Sequence, residues 1–171
     1  MNDQDRILVS SFSTDLGWMG LALRDGVVQQ LKFGFDSEVH LLRSFELDFD
    51  LAKPKGQLRK WQSVLKRYAA GRKEDLTIID VDLKSYSPFQ TKVLKNCRKI
   101  GYGKTLTYGQ LAEKVGSPNA ARAVGTAMKS NRYPLIIPCH RVVASSGIGG
   151  YSAGDGIQIK RDLLALEGVR Y

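Results

Sequence analysis

Apolar positions in the first half of the chain recur at two different spacings. Residues 7–12, 18–23 and 27–33 are short apolar-rich runs separated by Thr14-Asp15 and by Arg24-Asp25-Gly26. Runs of this length between turn-forming residues predict a three-stranded β-meander. Residues 37–45 suit a short helix, and residues 48–56 form a polar connector containing Pro54. Over residues 57–70, Leu58, Trp61, Val64, Leu65 and Tyr68 fall three and four apart, a helical stripe that would pack on the sheet until Gly71 stops it. Ile79, Val81 and Leu83 alternate with Asp80 and Asp82 and predict one more strand over residues 76–83.

The second half is punctuated by helix signals. Ser87-Pro88-Phe89-Gln90 combines a capping serine, a proline at the first helical position and a glutamine at the third. The helix it opens should run to about residue 100, with Phe89, Val93, Leu94, Cys97 and Ile100 on its apolar face. Thr107-Tyr108-Gly109-Gln110 opens a second, short helix to Lys114; Gly116 ends it, and Ser117-Pro118 opens a third over residues 119–129. Helix, glycine-bearing turn, helix is the outline of a helix-turn-helix. Leu135-Ile136-Ile137 is too short for a helix and predicts a buried extended segment that Pro138 keeps rigid. A last helix over residues 159–166 ends at Glu167-Gly168. The expected fold is therefore α/β in two domains: a small sheet-plus-helix domain over residues 1–85 and a mostly helical domain with a helix-turn-helix over residues 86–171.

Charge separates the two halves further. Residues 1–85 contain 13 Lys+Arg and 13 Asp+Glu, whereas residues 86–171 contain 13 and 4, which accounts for the net charge of +9. A basic domain of this kind suits a polyanion, with nucleic acid the first candidate and a merely soluble basic surface the alternative. The helix over residues 119–129 is nearly all small residues around Arg122, so its backbone could approach another surface closely. Core packing accounts for Ala123, Val124 and Ala127 but gives Arg122 no role. With so few polar side chains for base edges, sequence-independent binding with Arg122 entering a groove is the better expectation.

At 171 residues the chain can bury a core without disulfides. The polar N-terminus lacks an apolar leader, no run reaches membrane-spanning length, and Cys97 and Cys139 suit a reducing, intracellular setting. Cys97 belongs on a core face. Cys139, beside His140 at the end of the rigid apolar run, is either a small buried hydrophobe or a nucleophile with its base. The loop over residues 145–156 is rich in glycine and serine, as the wall round a flat ligand would be.

Pro138-Cys139-His140-Arg141, with Val142-Val143 and Gly150-Tyr151-Ser152 after it and Ala120-Ala121-Arg122-Ala123-Val124-Gly125 and Asn131 before it, resembles the O6-alkylguanine-DNA alkyltransferases. The likeness runs from about residue 88 to 168. It implies DNA repair by a helix-turn-helix in the minor groove, a flipped guanine, and irreversible, once-only transfer of the alkyl group from O6-alkylguanine, and more weakly O4-alkylthymine, to Cys139. By position, it makes His140 the base acting through a water, Glu167 the residue orienting it, and Asn131 the brace before the active-site segment. Tyr108 would help rotate the nucleotide and donate toward guanine N3. Arg122 would fill the vacated stack, with Ala121, Ala123 and Gly125 beside DNA. Tyr151 and Ser152 would contact the guanine, Val142 would offer a carbonyl, and Pro134 would complete the pocket.

The resemblance implies no cofactor, a monomer, double-stranded DNA containing alkylated guanine as partner, and no membrane association. The location would be cytoplasmic in a bacterium or archaeon and nuclear in a eukaryote. With no cysteine and one histidine, the first half cannot assemble the zinc site of some relatives. The family's short route from Tyr151-Ser152 to the lysine at Lys160 is lengthened here by Ala153-Gly154-Asp155-Gly156-Ile157, and the segment before Tyr151 is one residue short. Two other classes remain at this point: a helix-turn-helix binder that transfers nothing, and a cysteine hydrolase using Cys139 and His140.

Overall fold

The computed structural model describes residues 6–46, 48–153 and 156–171; the N-terminal stretch 1–5 and Gly154-Asp155 of the loop discussed above lie outside them. The chain divides into two compact units, one ending at Asp82 and the other Leu83–Tyr171.

In the first unit, strands β1 (Leu8–Thr14), β2 (Gly17–Arg24) and β3 (Val27–Phe35) form the expected antiparallel meander. The connector adds a two-residue strand, β4 (Asp50–Leu51), parallel to β1, giving the order β3-β2-β1-β4. Helices α1 (Glu38–Ser44) and α2 (Gly56–Ala69) accompany this sheet, and α2 buries Trp61, Val64, Leu65 and Tyr68 as its spacing requires.

The strand expected over residues 76–83 does not form. Leu76–Ile78 is a 3-10 turn, capped where the Asp75 carboxylate accepts from Thr77 N–H at 2.9 Å. Three residues per turn bring Leu76 and Ile79 onto one buried side, which the alternating pattern had disguised. Val81 then joins the sheet through a single parallel bridge to Val28.

In the second unit, α3 (Pro88–Cys97) and α4 (Tyr108–Lys114) both begin with complete capping boxes, at Ser87/Gln90 and Thr107/Gln110. Helix α3 stops short of residue 100 because Lys99 and Ile100 donate three residues back, tightening the last turn. Gly116, at φ +76°, ends α4 in a Schellman motif: its N–H donates to Glu113 O at 2.9 Å and that of Ser117 to Ala112 O at 2.9 Å. Helix α5 (Ala121–Lys129) starts two residues later than the sequence suggests, since Ala120 N–H turns back to Ser117 O. Leu111, Ala112, Val124, Ala127 and Met128 are buried, joining α3, α4 and α5 in one core with Val93, Leu94 and Cys97. A short parallel pair, β5 (Leu106–Thr107) with β6 (Val142–Val143), and helix α6 (Ile157–Leu166) complete the unit. Among the described residues, no helix is long and apolar enough to cross a membrane.

Candidate active site

The segment leading to Cys139 is buried as expected, but it is a series of turns rather than an extended strand. Leu135 sits at φ +71°, a left-handed conformation costing a leucine roughly 1–2 kcal/mol. Its buried side chain and the bond from Ile137 N–H to Tyr133 O, at 2.8 Å, hold it there. Pro138, at φ −78° and ψ 68°, is the centre of an inverse γ-turn, closed by Cys139 N–H donating to Ile137 O at 2.8 Å. Two consecutive tight turns thus replace the extended run, because a buried chain reversal must satisfy its backbone groups locally. Asn131 braces the reversal from both ends: its amide donates to Ile137 O at 2.9 Å and its carbonyl accepts from Tyr133 N–H at 3.0 Å.

Cys139, His140 and Arg141 then form one 3-10 turn, and all three are buried. His140 Nε2 lies 2.7 Å from Glu167 Oε1 at the end of α6. A proton on Nε2 donated to that carboxylate leaves the ring's basic lone pair on Nδ1. Glu167 also accepts from Gly103 N–H at 3.0 Å, from Arg141 Nε at 2.9 Å and from Arg141 Nη2 at 2.9 Å. Lys160 is fully buried and donates to Val142 O at 2.7 Å and Gly150 O at 3.0 Å. It therefore ties the loop before Tyr151 to β6.

Burial dominates the acid–base behaviour. It pushes the Cys139 thiol up, against hydrogen bonds from Asn131 and Tyr151 and the charge of Lys160. It pushes His140 down, against the opposing pull of Glu167, so the imidazole enters the site neutral. Lys160 is brought down to about 8 by burial, and the Tyr108 phenol is pushed up, which keeps its proton available for donation. An ordinary thiol is only about 3% thiolate at neutral pH, and this one less, so a neighbouring base has work to do.

An open cavity of about 760 Å³ lies over Cys139, within the range of small-molecule sites. Tyr108 from α4, Ala121, Arg122 and Gly125 from α5, and Tyr151 and Ser152 from the loop line it together with the cysteine. Ala123 is placed differently from the core role considered for it: it is exposed beside Arg122, outside the lining. Pro134 and Val142 do not line the cavity either; both are buried, and the Val142 carbonyl accepts from Lys160. His140, Glu167 and Asn131 are not among the residues lining the cavity.

Gly149 has φ +73°, and a Cβ there would lie 3.1 Å from both Ala144 N and the Tyr108 ring. Gly149→Ala is expected to displace Tyr108 and narrow the cavity, read as weaker binding of a free purine base by calorimetry with the fold retained by circular dichroism. Arg141 and Lys160 are the site residues that the residue pattern alone left unused. For Arg141 a signal was available: it is a cation between His140 and the apolar Val142-Val143-Ala144, in a half with only four carboxylate side chains.

A family model described as 6-O-methylguanine DNA methyltransferase, DNA binding domain, matches residues 88–169. OGT of Mycobacterium tuberculosis, solved in complex with DNA, is 32% identical, with 94% of this chain and 93% of that one covered and a TM-score of 0.75. The O6-methylguanine-DNA methyltransferase of Pyrococcus kodakaraensis is 33% identical, covering 94% of this chain and 99% of that one, with a TM-score of 0.72. The methylated-DNA–protein-cysteine methyltransferase of Saccharolobus solfataricus is 51% identical over 90 residues, 53% of this chain and 56% of the relative. The match therefore spans little more than half the length of such curated relatives. The α/β architecture with its helix-turn-helix agrees with the solved structures over nearly the whole chain.

Proposed function

Because the chain belongs to the 6-O-methylguanine DNA methyltransferase family, we propose that it repairs DNA by moving the alkyl group of O6-alkylguanine, and more weakly O4-alkylthymine, onto Cys139. The observation that carries this reading is the placement of Cys139 in a cavity shared with Tyr108, Arg122 and Tyr151, backed by His140 and Glu167.

In this reading α5 lies in the minor groove, and Ala121 and Gly125 let the backbone come close. Arg122 occupies the gap left when the damaged base turns into the cavity, where Tyr151 and Ser152 receive it. Flipping costs a few kcal/mol, which these contacts offset. His140 Nδ1 takes the thiol proton through a water while Glu167 holds the ring, and Asn131 keeps Cys139 in place. The thiolate attacks the alkyl carbon: a C–S bond forms, the C–O6 bond breaks, and the electron pair stays on the guanine, which gains a proton at N3 from Tyr108. A thioether has no route back to the thiol, so each molecule acts once and needs no cofactor. A soluble monomer in the reducing compartment that holds the genome, cytoplasm or nucleus, suits such chemistry.

Intact-protein mass after incubation with a duplex carrying one O6-methylguanine tests the proposal. One methylene mass gained per protein, then saturation, is expected; continued product release without mass gain would mark a hydrolase, and binding without mass gain a non-transferring binder. Arg122→Ala is expected to slow transfer from duplex by about tenfold, ~1.4 kcal/mol, while hardly changing transfer from a single-stranded oligonucleotide, whose base needs no extraction. DNA affinity should fall steeply with salt, and a flat log–log plot would remove the phosphate contacts.

A further inference from the structure

Glu167 faces two basic side chains, His140 and Arg141, and it has only one charge to share. The carboxylate meets Arg141 through Nε at 3.2 Å and 2.9 Å and through Nη2 at 2.9 Å, whereas His140 reaches it through one contact at 2.7 Å. Arg141 is itself fixed: its Nη1 donates to Ile100 O, and its guanidinium lies 5.9 Å from the centre of the Tyr102 ring. A planar guanidinium gripping both carboxylate oxygens is the stronger partner for a buried carboxylate.

We propose that Arg141 is a positioning residue which serves as the counter-charge of Glu167 and so delivers His140 to Cys139 as a neutral base. The inference rests on the alkyl-transfer reading for its consequence, but not for its first observable, the titration of His140 in the free protein. With Arg141 present, the His140–Glu167 contact is a hydrogen bond from a neutral ring to an already compensated carboxylate. Without Arg141, the buried carboxylate has His140 as its nearest cation, and the imidazole retains the proton it must lack to act.

The groups facing His140 make the direction definite. Glu167 at the end of α6 favours the imidazolium; Arg141 on the same turn and Lys160 on α6 disfavour it, and burial lowers it further. Removing Arg141 deletes one disfavouring charge and leaves Glu167 uncompensated, so both changes act in the same sense. The resulting acid limb must move to higher pH.

The test compares wild type, Arg141→Gln and Arg141→Lys in two measurements. Nitrogen-15 chemical shifts of the His140 ring, followed against pH without DNA, are expected to show a neutral ring in wild type to below its ordinary range near pH 6.5. In Arg141→Gln the midpoint is expected to rise by at least one pH unit, and in Arg141→Lys, which keeps the charge, to stay near wild type. Single-turnover transfer should follow: the acid limb moves up by the same amount in Arg141→Gln only. Equal losses of rate or stability in both variants, with unchanged His140 titration, would overturn the proposal and leave Arg141 a packing residue. A raised His140 midpoint in a protein whose wild type transfers nothing would support the charge assignment and reject the transfer reading instead. Should Arg141→Gln fail to fold, the Arg141→Lys titration decides, since loss of the neutral ring despite a retained charge contradicts the proposal.

Discussion

A Cys139→Ala protein mixed with a duplex carrying O6-methylguanine is expected to bind the lesion and leave it unrepaired. The expected loss is complete, because Cys97, the other thiol, is wholly buried on the core face of α3 and is pushed well above an ordinary thiol by that burial. Intact mass separates the two thiols directly: no gain on the variant assigns the acceptor to Cys139, whereas a gain would require Cys97 to react from within the core. Binding should persist, since removing one sulfur changes neither α5 nor the loop that lines the cavity. A variant that neither binds nor transfers would place Cys139 in folding rather than chemistry.

Glu167→Ala carries the largest expected cost in stability. One carboxylate accepts from His140, Arg141 and Gly103, and its removal leaves a buried guanidinium without its counter-charge. Breaking a buried pair in this way costs about 3–5 kcal/mol. Against a total of about 5–15 kcal/mol for a domain, this is a large fraction. Urea denaturation should show a lower midpoint with an unchanged slope, and single-turnover transfer should fall as well because the His140 ring loses its orientation. Glu167→Gln keeps the shape and one acceptor, so it should recover part of the stability and little of the transfer. Transfer at the wild-type rate in Glu167→Gln would show that the carboxylate's charge has no part in the reaction.

Much of the architecture was legible because it is written in local chemistry. Capping boxes at Ser87 and Thr107, Gly116 after α4, and the meander's alternating runs each act within a few residues, and the elements begin and end nearly where those signals lie. Where the pattern misled, a competing short-range geometry won. The stretch over residues 76–83 alternates like a strand, yet an Asp75 cap and a period of three turned its start into a 3-10 turn. Residues 135–137 are apolar enough for a strand, yet the chain must reverse there to carry Cys139 past Asn131.

The sequence by itself was enough for the helix-turn-helix, the family likeness and Cys139 as the candidate nucleophile, since these rest on residue type and short spacing. The resemblance already paired His140 with Glu167; only the tertiary structure decided what else partners that carboxylate and where Lys160 goes. Gly103, Arg141 and Glu167 are far apart or unremarkable along the chain, and it is the docking of the end of α6 behind the cysteine's turn that joins them. Likewise, Lys160 closes on the carbonyls of Val142 and Gly150, and Val142 and Pro134 are buried without lining the cavity. The physical reason is that a buried charge must find compensation wherever the fold brings it, and no local pattern of apolar and polar residues encodes which carboxylate or carbonyl that will be.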